Sequence, residues 1–408
     1  QAKLITSDLA TNEGVARFVD LAGDYAIVSA SSYDESPYEN NGAAFIFKRT
    51  DSAGGTGWAQ QAKLVRDSSS HSQSFGQAVS LNESATSALI SNAGSSYAIT
   101  EYTRDSANST TWAQGQKILP AAGVTPTNTA DWARNGAFDR KGNYFVVGAD
   151  ADYGNGSSGT RYGSAWVYNK DSSGSQWALQ QELVPSDDSD GAGTKGYGYA
   201  VSIATDSLIV VGADRYDGYT GAVYIFERAG STWTQTQRLV GQASAASYFG
   251  KNVSMDGEYL AVSAPVMTTG TGIVYIYKNL GGTWTFQTSV QASDASTGKY
   301  FGNGLALKGS QLLVSAYAAN TVYVFQKYGE TWLEIKKIVG SSLSDGNTNG
   351  KLGGDLPGGL RINKSATDID FLMGSTNKGA YVFTVPTATG PSNTLTLEAG
   401  SGISITTN

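Results

Sequence analysis

Tyrosine and aspartate occur together in three short stretches: Tyr33, Asp34 and Tyr38; Asp150, Asp152 and Tyr153; and Tyr216, Asp217 and Tyr219. The combination suits carbohydrate. A tyrosine offers a flat apolar body with a polar tip, and a carboxylate accepts hydrogen bonds from hydroxyls. Tyr33, Asp34, Tyr38, Tyr153, Tyr216, Asp217 and Tyr219 are therefore the candidate ligand-binding residues. The plainer alternative is that the tyrosines pack loop on loop and the aspartates close Asx-turns. A second pattern concerns cations. Asp187, Asp188 and Asp190 crowd into SDDSDGAG, and Asp150 and Asp152 into DADYGNG. Clustered carboxylate oxygens are what Ca²⁺ prefers, so these five are the candidate metal ligands. The second loop lacks the later Glu of a calcium loop, and a solvated acidic turn is the simpler reading of the first. No cofactor is firmly implied; Ca²⁺ is the ion these loops would suit.

Catalysis has little support from residue types. His71, the single histidine, lies in SSSHSQS without a nucleophile-elbow motif. With no Cys, thiol catalysis, cysteine zinc sites and disulfides are excluded. Gly353 and Gly354 precede no helical pattern and make no phosphate loop. A carboxylate pair for glycoside hydrolysis is defined in space and stays open. The expectation is that the chain is not an enzyme. A net charge of −7 argues against nucleic acid as a partner. No apolar run reaches the ~18 residues of a spanning helix, so no membrane insertion is expected.

The elements that must carry these loops repeat. W-x5-[LIV] occurs six times, as Trp58/Leu64, Trp112/Ile118, Trp177/Leu183, Trp233/Leu239, Trp284/Val290 and Trp332/Ile338. Spacing of this size marks a propeller or solenoid array, an architecture that points away from most enzyme classes. The clearest copy, 197–240, reads YGYAVSI, SLIVVGA, GAVYIF and TWTQTQRLV. These are four strand-length segments rich in Val, Ile, Tyr and Thr, bounded by Gly, Asp and Ser. The segment at Leu208 to Val211 should be buried on both faces. Trp233, Gln235, Gln237 and Leu239 should share one face of a half-exposed outermost strand. No stretch keeps a 3.6-residue apolar period, so no helix is predicted.

Phe75, Phe249 and Phe301 open further copies as FGQAVSL, FGKNVSM and FGNGLAL, and repeat three opens on WARNGAF. Residues 96–103 stand where the third strand of repeat two belongs. Repeat seven has GLRINK, DFLMGS and GAYVFTV but no Trp strand. Its missing strand is predicted at the other end, because QAKLI at 1–5 matches QAKLV at 61–65. The expected fold is all-β: a seven-bladed β-propeller of four-stranded antiparallel blades over 1–386. The N-terminal strand closes the ring, which removes open sheet edges.

The blade pattern FG-x-x-V-S, L-I-V-G-A, G-x-V-Y-I-F, W-x5-L resembles the FG-GAP repeat, the propeller repeat of integrin α-subunit heads and many bacterial and viral surface proteins. Phe249–Gly250 is followed by Ser263-Ala264-Pro265, and Gly148–Ala149 and Gly212–Ala213 keep the Gly-Ala. The resemblance implies an extracellular location and a recognition role. It also implies Ca²⁺ loops between first and second strands. The connections at Ala204-Thr205-Asp206, Asp256-Gly257-Glu258 and Lys308-Gly309-Ser310 are too short to supply those ligands.

In a four-strand blade the 2–3 and 4–1 loops emerge on one face. The long ones are there: 31–41, 66–74, 120–131, 150–162, 185–196 and 340–357. Long loops on a rigid scaffold are where binding concentrates, so the ligand site is expected on that face. Residues 387–408 read as a linker and a β-rich tail, resembling segments between heads and shafts in phage tail fibres. The expected role is a recognition or structural module outside the cell. In its sharpest form it is a virion appendage, tail-fibre or spike-like, binding a host surface glycan or protein receptor. The tail would contact other virion or surface proteins, and homo-oligomers are common among such proteins. A cellular adhesin and a polysaccharide-acting enzyme are the alternatives. Starting at Gln1 without Met and stopping mid-pattern at Asn408, the chain reads as a mature form, a processed form or a fragment.

Overall fold

The structure is a computed structural model. It describes residues 2–4, 15–34, 36–37, 39–51, 57–66, 74–92, 97–104, 110–120, 132–133, 137–150, 163–171, 173–187, 196–241, 247–343, 351–353, 358–364, 368–375, 379–386, 393–397 and 403–407. Seven four-stranded antiparallel sheets follow one another along the chain. Blade four is typical, with Tyr197–Thr205, Leu208–Ala213, Ala222–Ala229 and Thr232–Val240 paired in sequence order. Ile209, Val210 and Val211 are fully buried, as a continuously apolar second strand requires. In repeat two the third strand forms at Ala98–Arg104.

Ring closure is as predicted. Ala2–Leu4 pairs antiparallel with Gly379–Pro386, setting Leu4 opposite Ala380 and Ala2 opposite Val382. The last blade therefore takes three strands from one end of the chain and one from the other. The tail strands Asn393–Leu397 and Ile403–Thr407 pair with each other and with no blade strand.

The sequence signatures have packing causes. Along Thr232–Val240, Trp233 and Leu239 are buried while residues between them alternate half-buried and exposed. W-x5-L thus pins both ends of an outer strand to the core. The glycine of G-x-V-Y-I-F is needed for close approach. Gly221 forms a parallel bridge to Phe249 of the next blade, and a Cβ there would lie 2.0 Å from the Phe249 carbonyl oxygen. The glycine of Phe-Gly is needed for its backbone angle, with φ +86 at Gly250. This left-handed position recurs in all seven repeats, at Ala16, Gly76, Ala133, Gly198, Gly250, Gly302 and Gly353. The residues before it (Val15, Phe75, Trp132, Tyr197, Phe249, Phe301 and Leu352) are all buried. Repeat seven therefore opens at Leu352, inside what the sequence presents as a 340–357 loop. Leu352 is bridged to Ser375 there.

Polar contacts tie blade to blade at the rim and at the axis. At the rim, the Gln237 amide donates to the Trp284 carbonyl and accepts from the Trp284 N–H, both at 2.8 Å. Gln181 does the same with Trp233, and Gln116 with Trp177. At the axis, Asp20 accepts from the Leu81 N–H at 2.8 Å, and Asp139 from the Ile203 N–H at 2.9 Å. Ser254 accepts from the Leu307 N–H at 3.0 Å. Each satisfies a backbone donor of a neighbouring blade that would otherwise face the axis unpaired.

The absence of helix needs a small correction. Single helical turns occur at Met267–Gly270, Tyr317–Ala319 and Gly340–Ser342. They cap loops between strands, where four residues or fewer carry no amphipathic period for a sequence pattern to show.

Candidate functional site

The 2–3 connection of blade four, between Ala213 and Ala222, is the candidate loop that the structure describes throughout. Asp217, Gly218 and Tyr219 have φ of +45, +63 and +70 in succession. A left-handed tyrosine is disfavoured by roughly 1–2 kcal/mol, so the turn persists only because its surroundings hold it. The Tyr219 carbonyl accepts from the N–H groups of Ser247 (3.0 Å) and Tyr248 (2.9 Å), and the Tyr216 carbonyl from the Gly221 N–H (2.9 Å). The turn leaves Asp217 exposed and Tyr219 45% exposed. The Tyr219 ring lies 5.1 Å from that of Tyr248, tilted by 37°.

Beside the turn is a cleft of about 410 Å³ lined by Tyr216, Asp217, Thr220, Arg238 and Val240. Arg238 donates to the Tyr216 hydroxyl at 2.9 Å and pairs with Asp187 at 2.5 Å. The next junction repeats the arrangement. Tyr300, also left-handed and 40% exposed, donates its N–H to the Gly270 carbonyl at 2.7 Å. Tyr219 and Tyr248 thus form a ring pair at one junction of the long-loop face, and Tyr300 takes the matching backbone position at the next. The sequence reading missed Tyr248, Tyr300 and Arg238. The two tyrosines were findable, because each immediately precedes a Phe-Gly.

Other candidates have structural duties. Tyr33 is 7% exposed, edge-on to Phe45 at 5.8 Å, with its hydroxyl accepting from Lys63 at 3.3 Å. This corrects its placement in an exposed loop: its ring packs inward. Asp34 is exposed and accepts from the Asn40 N–H at 2.6 Å, closing its own loop. Asp150 is buried against Arg215 at 2.6 Å. Arg215 and Lys251 also pair with the fully buried Asp214, at 3.6 and 3.1 Å. Asp187 accepts from the Tyr224 hydroxyl at 3.0 Å as well as from Arg238. Burial, reinforced by the Asp187 charge, pushes the Tyr224 phenol well above its usual range, which keeps it a neutral donor. Asp150 and Asp187 are thus each already paired with an arginine, which Asp150 shares with Asp214. Among the described residues no group of three or more His, Cys, Asp or Glu could hold a metal ion. Tyr38, Asp152, Tyr153, Asp188 and Asp190 lie outside the described residues.

Asp294 shows the same loop anchor as Asp187. It accepts from the Tyr323 hydroxyl at 2.7 Å and pairs with Lys337 at 2.5 Å and Lys299 at 3.0 Å. Desolvation raises its pKa, but hydrogen bonds from Lys337, Tyr323 and Lys299 outweigh that and hold the carboxyl well below the usual range. A depressed folded-state pKa stabilises fully above the unfolded value of about 3.9 and is lost as pH falls through the folded value. Asp294→Asn should therefore flatten the fall of Tm with pH below about pH 4. Parallel Tm profiles for the two proteins would show that the anchor is not coupled to folding.

The comparisons agree with the architecture. A family model described as FG-GAP repeat matches residues 1–47, 177–226, 233–277 and 284–325. No curated protein matches the chain. Among solved structures, the periplasmic gluconolactonase PpgL of Pseudomonas aeruginosa is similar at TM-score 0.52 and 12% identity, covering 78% of this chain and 84% of that one. A Bacteroides fragilis protein provisionally described as a 6-phosphogluconolactonase is similar at TM-score 0.52 and 12% identity, over 79% and 84%. Saccharomyces cerevisiae Sqt1 is similar at TM-score 0.51 and 10% identity, over 93% and 98%. At these identities the likeness shows the fold alone. It corrects the expectation that the chain is not an enzyme. A gluconolactonase has the same propeller architecture, so the fold gives no ground for setting catalysis aside. Among the described residues no helix is long and apolar enough to cross a membrane, which says nothing of strands. The chain is a seven-bladed β-propeller, and the stretches just given match the FG-GAP repeat.

Proposed function

We propose that this protein is an extracellular recognition module that binds a surface glycan or protein through the long-loop face of blades four to six. The observation that carries the reading is the strained turn at Asp217–Tyr219. It is held left-handed by the next blade while it displays Tyr219 and Asp217 beside the Arg238 cleft. The Tyr219–Tyr248 ring pair, flanked by a carboxylate and a guanidinium, offers stacking and hydroxyl recognition at once. In its sharper form the protein is a virion appendage, tail-fibre or spike-like, engaging a host receptor. The hairpin at Asn393–Leu397 and Ile403–Thr407, separate from the blades, supports that form as an assembly segment toward other virion proteins or further copies.

The test is a glycan array probed with the whole chain and with Tyr219→Ala and Tyr248→Ala. Binding of a defined glycan class should weaken by at least ~10-fold in either variant, as for aromatic hot spots. Binding that both variants retain in full would move the site off this face. Absence of glycan binding would leave a protein receptor, and the same two variants would then be tested against it.

A further inference from the structure

The opposite face holds a second cleft, of about 420 Å³, between blades two and three. It is lined by Asn82, Glu83, Thr86, Ser87, Glu101, Thr103, Arg104, Arg140, Gly142, Asn143, Lys170 and Gly174. Its charges do not cancel. Lys141 pairs with Glu83 at 3.1 Å and Lys170 with Glu101 at 3.0 Å. That uses both acids and leaves two guanidinium groups, Arg104 and Arg140, with no carboxylate at ion-pair distance among the described residues. Aromatic faces hold them instead. Arg104 lies 4.3 Å from the centre of the Tyr25 ring and Arg140 5.1 Å from that of Trp177. Stacking orients a guanidinium while leaving its N–H edge to bind an acceptor. Ser87 occupies part of one edge, accepting from Arg140 Nη1 at 3.0 Å and donating to Glu101 at 2.7 Å.

The remaining donors are under-used. Arg104 Nη1 and Arg140 Nε are both buried without a hydrogen-bond partner. Leaving a buried polar donor unpaired is unfavourable, more so for a charged one, and two of them in one cleft need explaining. Burial lowers the Arg140 pKa by more than Glu101, Glu83 and Asp20 raise it, so its charge is under-compensated where it stands. The rim supplies neutral polar groups, Thr103 and Asn143, both exposed.

We propose that this cleft is an oxyanion site, in which Arg104 and Arg140 receive the carboxylate or sulfate of an acidic saccharide while Thr103 and Asn143 meet its hydroxyls. The volume fits a small ligand of sugar size. Planar N–H edges match a planar carboxylate or a sulfate face through charge-assisted hydrogen bonds. The net charge of −7 makes the local excess of two cations distinctive, since it opposes the overall field. This site is separate from the Tyr219–Tyr248 pair, and Tyr219→Ala should leave it untouched.

Calorimetric titration with sodium glucuronate, sodium sulfate and glucose tests it. Glucuronate should bind at least ~10-fold more tightly than glucose, and more weakly as sodium chloride is added. Arg104→Gln should weaken glucuronate by ~10-fold or more, with a melting curve reporting whether the variant folds. Thr103→Trp, at an exposed rim position, should block the cleft while keeping both arginines. Binding of sulfate but not glucuronate would keep the oxyanion site and assign it to a free inorganic anion. Equal affinity for glucose and glucuronate, no binding of either anion, or full affinity in both variants would overturn the proposal.

Discussion

Replacing Arg49 with alanine is expected to destabilise the protein by about 3–5 kcal/mol. Arg49 ends the third strand of blade one, and its guanidinium reaches Asp370 of blade seven at 2.6 Å. The two side chains are 3% and 7% exposed. Thr384 donates to the other Asp370 oxygen at 2.6 Å, and the guanidinium lies 4.7 Å from the centre of the Trp58 ring. The pair spans the seam where the ends of the chain meet. Removing the cation alone strands a buried carboxylate, which is why the loss should exceed that of an ordinary surface pair. A double variant, Arg49→Met with Asp370→Leu, removes both charges and should recover most of the loss. Urea unfolding of the three proteins measures this. A loss below about 1 kcal/mol in Arg49→Ala would mean that water reaches the seam and screens the pair.

Deleting residues 1–5 should have an effect of similar size and a different signature. Leu4 is 1% exposed and packs with Leu372, Ala380 and Val382. Truncating a buried leucine to alanine alone typically costs about 2–5 kcal/mol, and the deletion also removes the pairing of Ala2–Leu4 with Gly379–Pro386. What remains is a three-stranded last blade with an open edge. Unpaired edges template association, so the truncated protein should melt earlier and elute partly as larger species at rising concentration. Light scattering coupled to size exclusion reads the second effect. An unchanged melting temperature and a monomer-only profile would show that the ring closes without its N-terminal strand.

Much of the fold was legible because it is written in periodic local signals. W-x5-[LIV] recurs since both ends of each outer strand pack on the core, fully at Trp177, Trp233, Trp284 and Trp332 and partly at Trp58 and Trp112. Phe-Gly recurs since an apolar side chain, most often aromatic, enters the core just before a left-handed residue. The match of QAKLI to QAKLV exposed the ring closure because a strand donated from the far end faces the same environment as the one it replaces. Repeats one and seven hid their openings, since Val15–Ala16 and Leu352–Gly353 meet the same backbone demand without the Phe.

The site was legible only in part. The stretch Tyr216–Tyr219 stood out by composition, and the structure describes it as a displayed turn. Tyr33, in an equally tyrosine-rich stretch, turned inward, and Asp150 and Asp187 found arginines. Local composition says which side chains are suited to a ligand, but exposure and ion pairing depend on partners far away in the chain. Asp150 meets Arg215, Asp187 meets Arg238, and Arg49 meets Asp370 across 321 positions. The sequence by itself determined the blades, their number and their closure, because those follow from short-range periodicity and burial. Only the tertiary structure decided which charges are neutralised and which, like Arg104 and Arg140, are held on aromatic rings with one buried nitrogen each unpaired, because electrostatic pairing is settled by distances that no spacing rule contains.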